Sequence, residues 1–380
     1  MERGETKVTL GYEILWKFII RPPKDVYPLH YLGPNQFHFN SKIYIRKEYE
    51  LISHQGYKMK SSLIEPEPSY RPSKQMPIII YLHGNASSCL ESLTILSPLL
   101  SHNINLFMVD LPGCGHSEGE YISLGYYESY DVGIIVDFLE NLPGTGKIGL
   151  WGRSMGASTA LIYAHRDKRI KAICLDSPFA NFCRLARELT KQYISFPDFI
   201  INGILKIIAN TIKDKNGIDI FKLNPIEEAE NTFQPAIFIH AINDKLINLQ
   251  HSIDIFNIYG GEKSLKCSEI GGHNSKRPKR LINEVISFFE KYLQNDVNEF
   301  DIDNNKKFDR NDNNNEMMQS FIFKDEVNSN DKERYIFEKE EIDKKNMEEI
   351  RNILLNINEN DLSKESTELN SNISLNEKSK

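Results

Sequence analysis

The sequence has little positive charge to spare. Its 46 Lys and Arg against 53 Asp and Glu leave a net charge of −7. That balance argues against a nucleic-acid partner, which needs a basic stripe to neutralise phosphates. Cysteine is sparse and odd in number: Cys89, Cys114, Cys174, Cys183 and Cys267 are scattered and form no C-x-x-C pair. Reduced thiols in a cytoplasmic setting are expected rather than a disulfide framework. No H-E-x-x-H spacing occurs, so no metal site is expected. Gly144-Thr145-Gly146-Lys147 resembles a fragment of a phosphate loop, but position 141 is Asn where the upstream glycine would stand. It is read as the turn before a strand, and no bound cofactor is expected.

Long apolar runs are missing too. Val8–Ile20 falls short of the roughly 20 residues that cross a bilayer. No small-residue cleavage site follows it, and Glu2 excludes N-myristoylation. Leu10, Ile14, Leu15, Phe18 and Ile19 keep near-helical spacing until Arg21-Pro22-Pro23 stops them. Two readings stand: a helix packed on the body, or a peripheral membrane contact with Trp16 and Phe18 in the headgroups. The stretch 295–380 has no Gly, Pro, Ala or Cys and is rich in Asn, Lys, Asp and Glu. Such a segment buries too little apolar surface to offset its ordering entropy, so a disordered tail is expected. The alternative there is a partner-docking helix over Glu333–Ile357.

Between these ends, strand and helix patterns alternate. Ile45–Ile52 and Lys58–Ile64 read as a hairpin around His54-Gln55-Gly56. Met76–Leu82, Leu106–Val109, Ile148–Trp151, Ile170–Asp176, Ala236–His240 and Ser264–Ile270 read as buried strands. Helices are expected over Ser88–Leu100, Ser123–Leu139, the run after Ser154, Leu249–Tyr259 and Pro278–Leu293. The alternation predicts an α/β fold with a mainly parallel sheet and helices on both faces. The expected boundaries are 1–42 for an N-terminal helix and extended segment, 43–294 for the main domain, and 295–380 for the tail. A helical, strongly apolar insertion at about 182–230 breaks the rhythm. It reads either as a lid lining an acyl pocket or as a cap that only packs.

The chemistry centres on Gly152-Arg153-Ser154-Met155-Gly156, a G-x-S-x-G between a strand and a helix. This is the pattern of a nucleophile elbow, in which a serine sits on a strained turn. A serine hydroxyl needs a base, and the base an orienting carboxylate. Of ten histidines, His273 follows a strand late in the chain and is the expected base. Asp244, after strand Ala236–His240, is the expected acid, since these groups should lie past the C-terminal strand ends. Asp176 is the alternative. Asp110 reads instead as a cap on backbone N–H groups, and Asn243 lacks the charge to stabilise an imidazolium. The oxyanion hole should take the backbone N–H of Met155 and that of Asn85, in the loop after Leu82, where His83 reads as structural.

The H-G-N of His83–Asn85, the D-x-x-G-x-G-x-S-x-G of Asp110–Gly119, G-R-S-M-G and the late G-G-H-N resemble the α/β-hydrolase superfamily. The likeness is strongest to its serine aminopeptidase-like and abhydrolase-domain branch, and runs from about Ile43 to Leu293. The acid motif departs from that pattern only by Ala241 in place of a glycine. The resemblance implies the α/β-hydrolase fold and a cofactor-free serine hydrolase working through an acyl-enzyme. A small-molecule acyl ester or thioester is the expected substrate. A peptidase and a silent binding module are the alternatives; the apolar insertion and the intact Ser, His and Asp set weigh against them.

Overall fold

The computed structural model describes residues 13, 15–193 and 197–294. They fall into two units: 13–22 with Phe182–Leu223, and Pro23–Asn181 with 224–294. The tail and its proposed helix lie outside the described residues.

The larger unit is built on one sheet of nine strands. These are β1 (Gln36–Phe39), β2 (Lys42–Ile52), β3 (Lys58–Pro66), β4 (Met76–Leu82), β5 (Asn105–Val109), β6 (Thr145–Arg153), β7 (Ile170–Asp176), β8 (Ala236–Ala241) and β9 (Lys263–Ser268). Their order across the sheet is β1-β2-β3-β5-β4-β6-β7-β8-β9. β1, β2, β3 and β5 pair antiparallel, and every pair from β5 to β9 is parallel. The central strands are buried almost throughout, as crossover helices on both faces require. β9, at the edge, carries exposed positions.

A short helix α1 (15–20) precedes the sheet. The connections carry α2 (Leu96–Ser101), α3 (Tyr126–Glu140) and α4 (Met155–Ala164). The insertion holds α5 (Phe182–Tyr193) and α6 (Asp198–Asn216), and the larger unit resumes with α7 (Ile226–Ala229), α8 (Leu249–Ile258) and α9 (Lys279–Leu293). α9 buries Leu281, Ile282, Val285, Ile286, Phe289 and Leu293, the stripe expected of an amphipathic helix on a sheet. Phe289 lies 5.9 Å from the ring of the fully buried Trp151, so α9 braces the strand that leads to Ser154.

Three local readings change. β1 was not expected: it is a four-residue edge strand with strict burial alternation. Ser88–Leu100 is not one helix but a 3₁₀ segment, Cys89–Thr94, followed by α2. β9 ends at Ser268 rather than Ile270, because Ser268 Oγ accepts the Ile270 N–H at 3.1 Å and turns the chain.

The chain before β1 is tied down by polar contacts. Tyr27 Oη donates to Asp110 Oδ2 at 2.9 Å, Lys24 Nζ to the Ser117 carbonyl at 2.7 Å, and Ser88 Oγ to Asp25 at 2.7 Å. In the smaller unit Ile201, Leu205, Ile208 and Ile212 form a buried stripe along α6. Trp16 is 2% exposed, with the Lys17 and Lys215 ammonium groups 5.4 and 5.7 Å from its ring. No described helix is long and apolar enough to cross a membrane.

Candidate active site

β6 runs straight into Ser154, which has φ 53° and ψ −116° before α4 begins at Met155. A positive φ is costly for a residue with a side chain, and the turn persists because its flanks leave no alternative. A Cβ at Gly152 would come within 2.1 Å of the Gly156 carbonyl oxygen, and one at Gly156 within 2.0 Å of the Leu82 carbonyl oxygen. Both glycines of the pentapeptide are therefore steric necessities. The Ser154 N–H donates to the Asp176 carbonyl at 2.8 Å, which ties the turn to the end of β7.

His273 and Asp244 meet this serine. His273 Nε2 is 3.0 Å from Ser154 Oγ, and its Nδ1 is 2.7 Å from Asp244 Oδ2. All three side chains are buried. The carboxylate occupies Nδ1, so Nε2 is left to accept from the serine hydroxyl. Asp244 Oδ1 accepts from the N–H groups of Leu246 and Ile247 at 2.9 and 2.8 Å. Burial pushes its pKa up, but hydrogen bonds from His240 and His273 and the Ile247 N–H outweigh that, holding the carboxyl well below the usual range. It stays charged opposite the imidazole.

The alternative acid is engaged elsewhere. Asp176 is gripped by Arg277, whose Nε lies 3.0 Å from both carboxylate oxygens and whose Nη2 lies 2.7 Å from Oδ1. Asn243 donates to the Glu269 carbonyl at 3.0 Å. Asp110 accepts from the N–H groups of Cys89 and His116 at 2.7 and 2.9 Å, the capping arrangement expected of it. His83 is fully buried; its Nδ1 lies 2.8 Å from the Gly84 carbonyl and its Nε2 accepts the Leu111 N–H at 3.1 Å. It holds the loop and has no free nitrogen for proton transfer.

Of the expected oxyanion donors, Met155 follows the nucleophile directly and Asn85 lies in a loop that passes it. Met155 opens α4, so its N–H has no carbonyl one turn back within the helix. A methyl group placed at Gly84 would lie 3.7 Å from Ser154 Cβ, so the loop carrying Asn85 passes next to the serine. Ala86, just after, has φ 54°. The Gly84 N–H itself is occupied, donating to Glu91 Oε2 at 2.9 Å.

Sequence reasoning missed the charged groups around this chain. Arg153 Nη1 pairs with Glu91 Oε1 at 3.2 Å, and its Nη2 donates to the His273 carbonyl. Arg277 Nη1 donates to the Gly272 carbonyl at 2.8 Å. The available signal was an arginine directly after the apolar run 148–152 of β6: such a side chain must find a carboxylate or carbonyl when buried.

The family described as alpha/beta hydrolase fold matches residues 77–202. The protein YqkD of Bacillus subtilis, uncharacterized, is 31% identical over 199 residues, 51% of this chain and 64% of that protein. Lysophosphatidylserine lipase ABHD12 of Rattus norvegicus is 26% identical over 201 residues, 50% of this chain and 47% of its own length. The match thus spans less than two thirds of either relative. The esterase Pf2001 of Pyrococcus furiosus superposes with a TM-score of 0.54 at 18% identity, over 72% of this chain and 99% of that one, a likeness of fold alone. From the sheet order, the strained serine turn and these likenesses together, the chain has the α/β-hydrolase fold and is similar to members of that superfamily.

Proposed function

We propose that the protein is a serine hydrolase that cleaves a carboxylic ester or thioester through an acyl-enzyme. The observation that carries the reading is the hydrogen-bonded chain Ser154 Oγ, His273 Nε2, His273 Nδ1, Asp244 Oδ2 at 3.0 and 2.7 Å. Ser154 Oγ attacks the acyl carbon while its proton passes to His273 Nε2. The carbonyl oxygen, now anionic, receives the N–H groups of Asn85 and Met155. Collapse breaks the bond to the leaving group, which takes the proton from His273 as it departs. Water then enters by the same route: His273 takes its proton, the hydroxide attacks the acyl-serine, and the acid leaves as Ser154 regains its hydrogen. Asp244 stays ionised and stabilises the imidazolium. Losing one oxyanion donor costs about 10²–10³ in kcat in enzymes of this kind.

An acyl substrate is favoured over a peptide because a relative is named as a lysophosphatidylserine lipase. A p-nitrophenyl ester series from two to sixteen carbons, run beside acyl thioesters and aminoacyl amides, tests this. The expected outcome is a kcat/KM that rises from acetyl to medium chains, since each buried methylene contributes about 0.8 kcal/mol. A rate falling steadily from acetate, together with amide cleavage, would move the reading to a peptidase.

A further inference from the structure

Proton movement at Ser154 uses one carboxylate and one imidazole, yet four more charged side chains surround them: Glu91, Arg153, Asp176 and Arg277. Arg153, Asp176 and Arg277 are buried, while the imidazole nitrogens meet Asp244 and Ser154. The four charged side chains instead pair with one another, and the two arginines and Glu91 also hold loop backbone. Arg153 donates through Nη2 to the His273 carbonyl, and to the Ser275 carbonyl at 3.1 Å. Its Nη1 pairs with Glu91, whose other oxygen accepts the Gly84 N–H at 2.9 Å. Arg277 closes on the loop from its other side, donating to the Gly272 carbonyl at 2.8 Å and the His273 carbonyl at 3.3 Å while paired with Asp176.

Two guanidinium and two carboxylate charges cancel. An unpaired cation here would oppose the imidazolium that the reaction forms, so the balanced set can grip the loop without working against Asp244. Arginine suits the task because its planar group has several donors in fixed directions and serves two carbonyls and a carboxylate at once; a lysine ammonium is a single point charge.

We infer that Arg153, the residue before the nucleophile, is a positioning residue for His273. It acts by clamping the His273 backbone to the loop that carries Gly84, with Glu91 holding the guanidinium in register. The inference rests on the reading of Ser154, His273 and Asp244 as the reacting set. A displacement of about 1 Å at a catalytic group can cost on the order of 10²-fold in rate, which sets the scale of the expected effect.

The test uses the full chain and compares Arg153→Lys in the wild-type and His273→Ala backgrounds, with ester kcat, KM and melting temperature read for each. Arg153→Lys is expected to lower kcat about 10- to 100-fold with KM within about twofold. In the His273→Ala background the same substitution should change the residual rate less than about twofold, because a residue that acts through His273 has nothing left to position. Equal losses in both backgrounds, or an unchanged kcat in the single variant, would overturn the inference. Should Arg153→Lys not fold, Glu91→Gln decides. Its amide still accepts the Gly84 N–H but loses the charge that fixes Arg153, so kcat should fall in the wild type and not in His273→Ala; any other pattern overturns the inference. Ser154→Ala separates the two claims: if it keeps full turnover, the serine-hydrolase reading fails; if it is inactive while Arg153→Lys is as fast as wild type, only the positioning role fails.

Discussion

Adjacent parallel strands, β7 and β8, lead to two buried aspartates that look alike in sequence and do different things. Asp176 is the last residue of β7, and Asp244 lies three residues beyond β8. Both have carboxyls held below the ordinary range despite burial, which alone would raise them: Asp176 by the Arg277 and Arg153 charges, Asp244 by hydrogen bonds from two histidines and a backbone N–H. One faces permanent cations and the other a titratable imidazole. A carboxylate paired with a guanidinium that never deprotonates can stabilise and orient, but it cannot follow a proton. A carboxylate paired with His273 can favour the imidazolium at the moment it forms. Position at a strand end therefore narrows the choice of acid, and the partner each carboxylate meets favours Asp244 for the proposed role.

The largest effect that sharpens this contrast is on turnover. Asp244→Asn should lower kcat on the order of 10⁴-fold, because the amide cannot stabilise the imidazolium and favours the wrong tautomer. Asp176→Asn should lower kcat far less. The ranking is checked by ester hydrolysis under saturating substrate, and the reverse order would move the acid to β7.

Stability should rank the other way. Asp176→Asn leaves the Arg277 guanidinium buried without its charge partner, a loss of roughly 3–5 kcal/mol for a broken buried pair. At about 2–4 °C per kcal/mol for a domain of this size, thermal unfolding should show a large drop. A melting temperature unchanged by Asp176→Asn would mean that the Arg277 pair contributes little.

Smaller effects appear in pH dependence. Depressed carboxylates such as Asp244 and Asp176 stabilise the fold above the ordinary aspartate value of 3.8. That contribution is lost as pH falls below this value toward their folded-state values. Asp131, on α3, behaves oppositely. Burial lifts its pKa to about 7, only partly offset by the His54 N–H that donates to it at 2.7 Å. A raised folded pKa stabilises most below the unfolded value, and the benefit disappears as pH rises through about 7. Asp131→Asn keeps the acceptor and removes the charge. It should therefore raise the melting temperature by a few degrees at pH 8 and by little at pH 4. A gain that is equal at both pH values would show that the Asp131 pKa is not raised in the fold.

The two aspartates also mark how far sequence carries. β4 and β7 were legible to the residue, because Met76–Leu82 and Ile170–Asp176 are apolar runs bounded by turn formers. That Ser154, His273 and Asp244 would meet was legible because an elbow pentapeptide and two strand-end positions follow from topology. The partners of Asp176 were not. Arg277 lies 101 residues further along the chain, and no local pattern announces which buried arginine meets which carboxylate. β1 was hidden for a different reason: four residues carry too little alternation to stand out from the extended segment around them. The paired Asn181 and Asn224 side chains, which meet where the insertion leaves and rejoins the larger unit, were equally invisible to periodicity.

The account stands on Ser154 as the nucleophile activated by His273. Labelling of the purified full chain with a fluorophosphonate, followed by mass mapping of the modified peptide, tests that directly. A single adduct on Ser154 is expected, absent in Ser154→Ala and slowed by several orders of magnitude in His273→Ala. Undiminished labelling in Ser154→Ala, with the adduct on another serine, would contradict it.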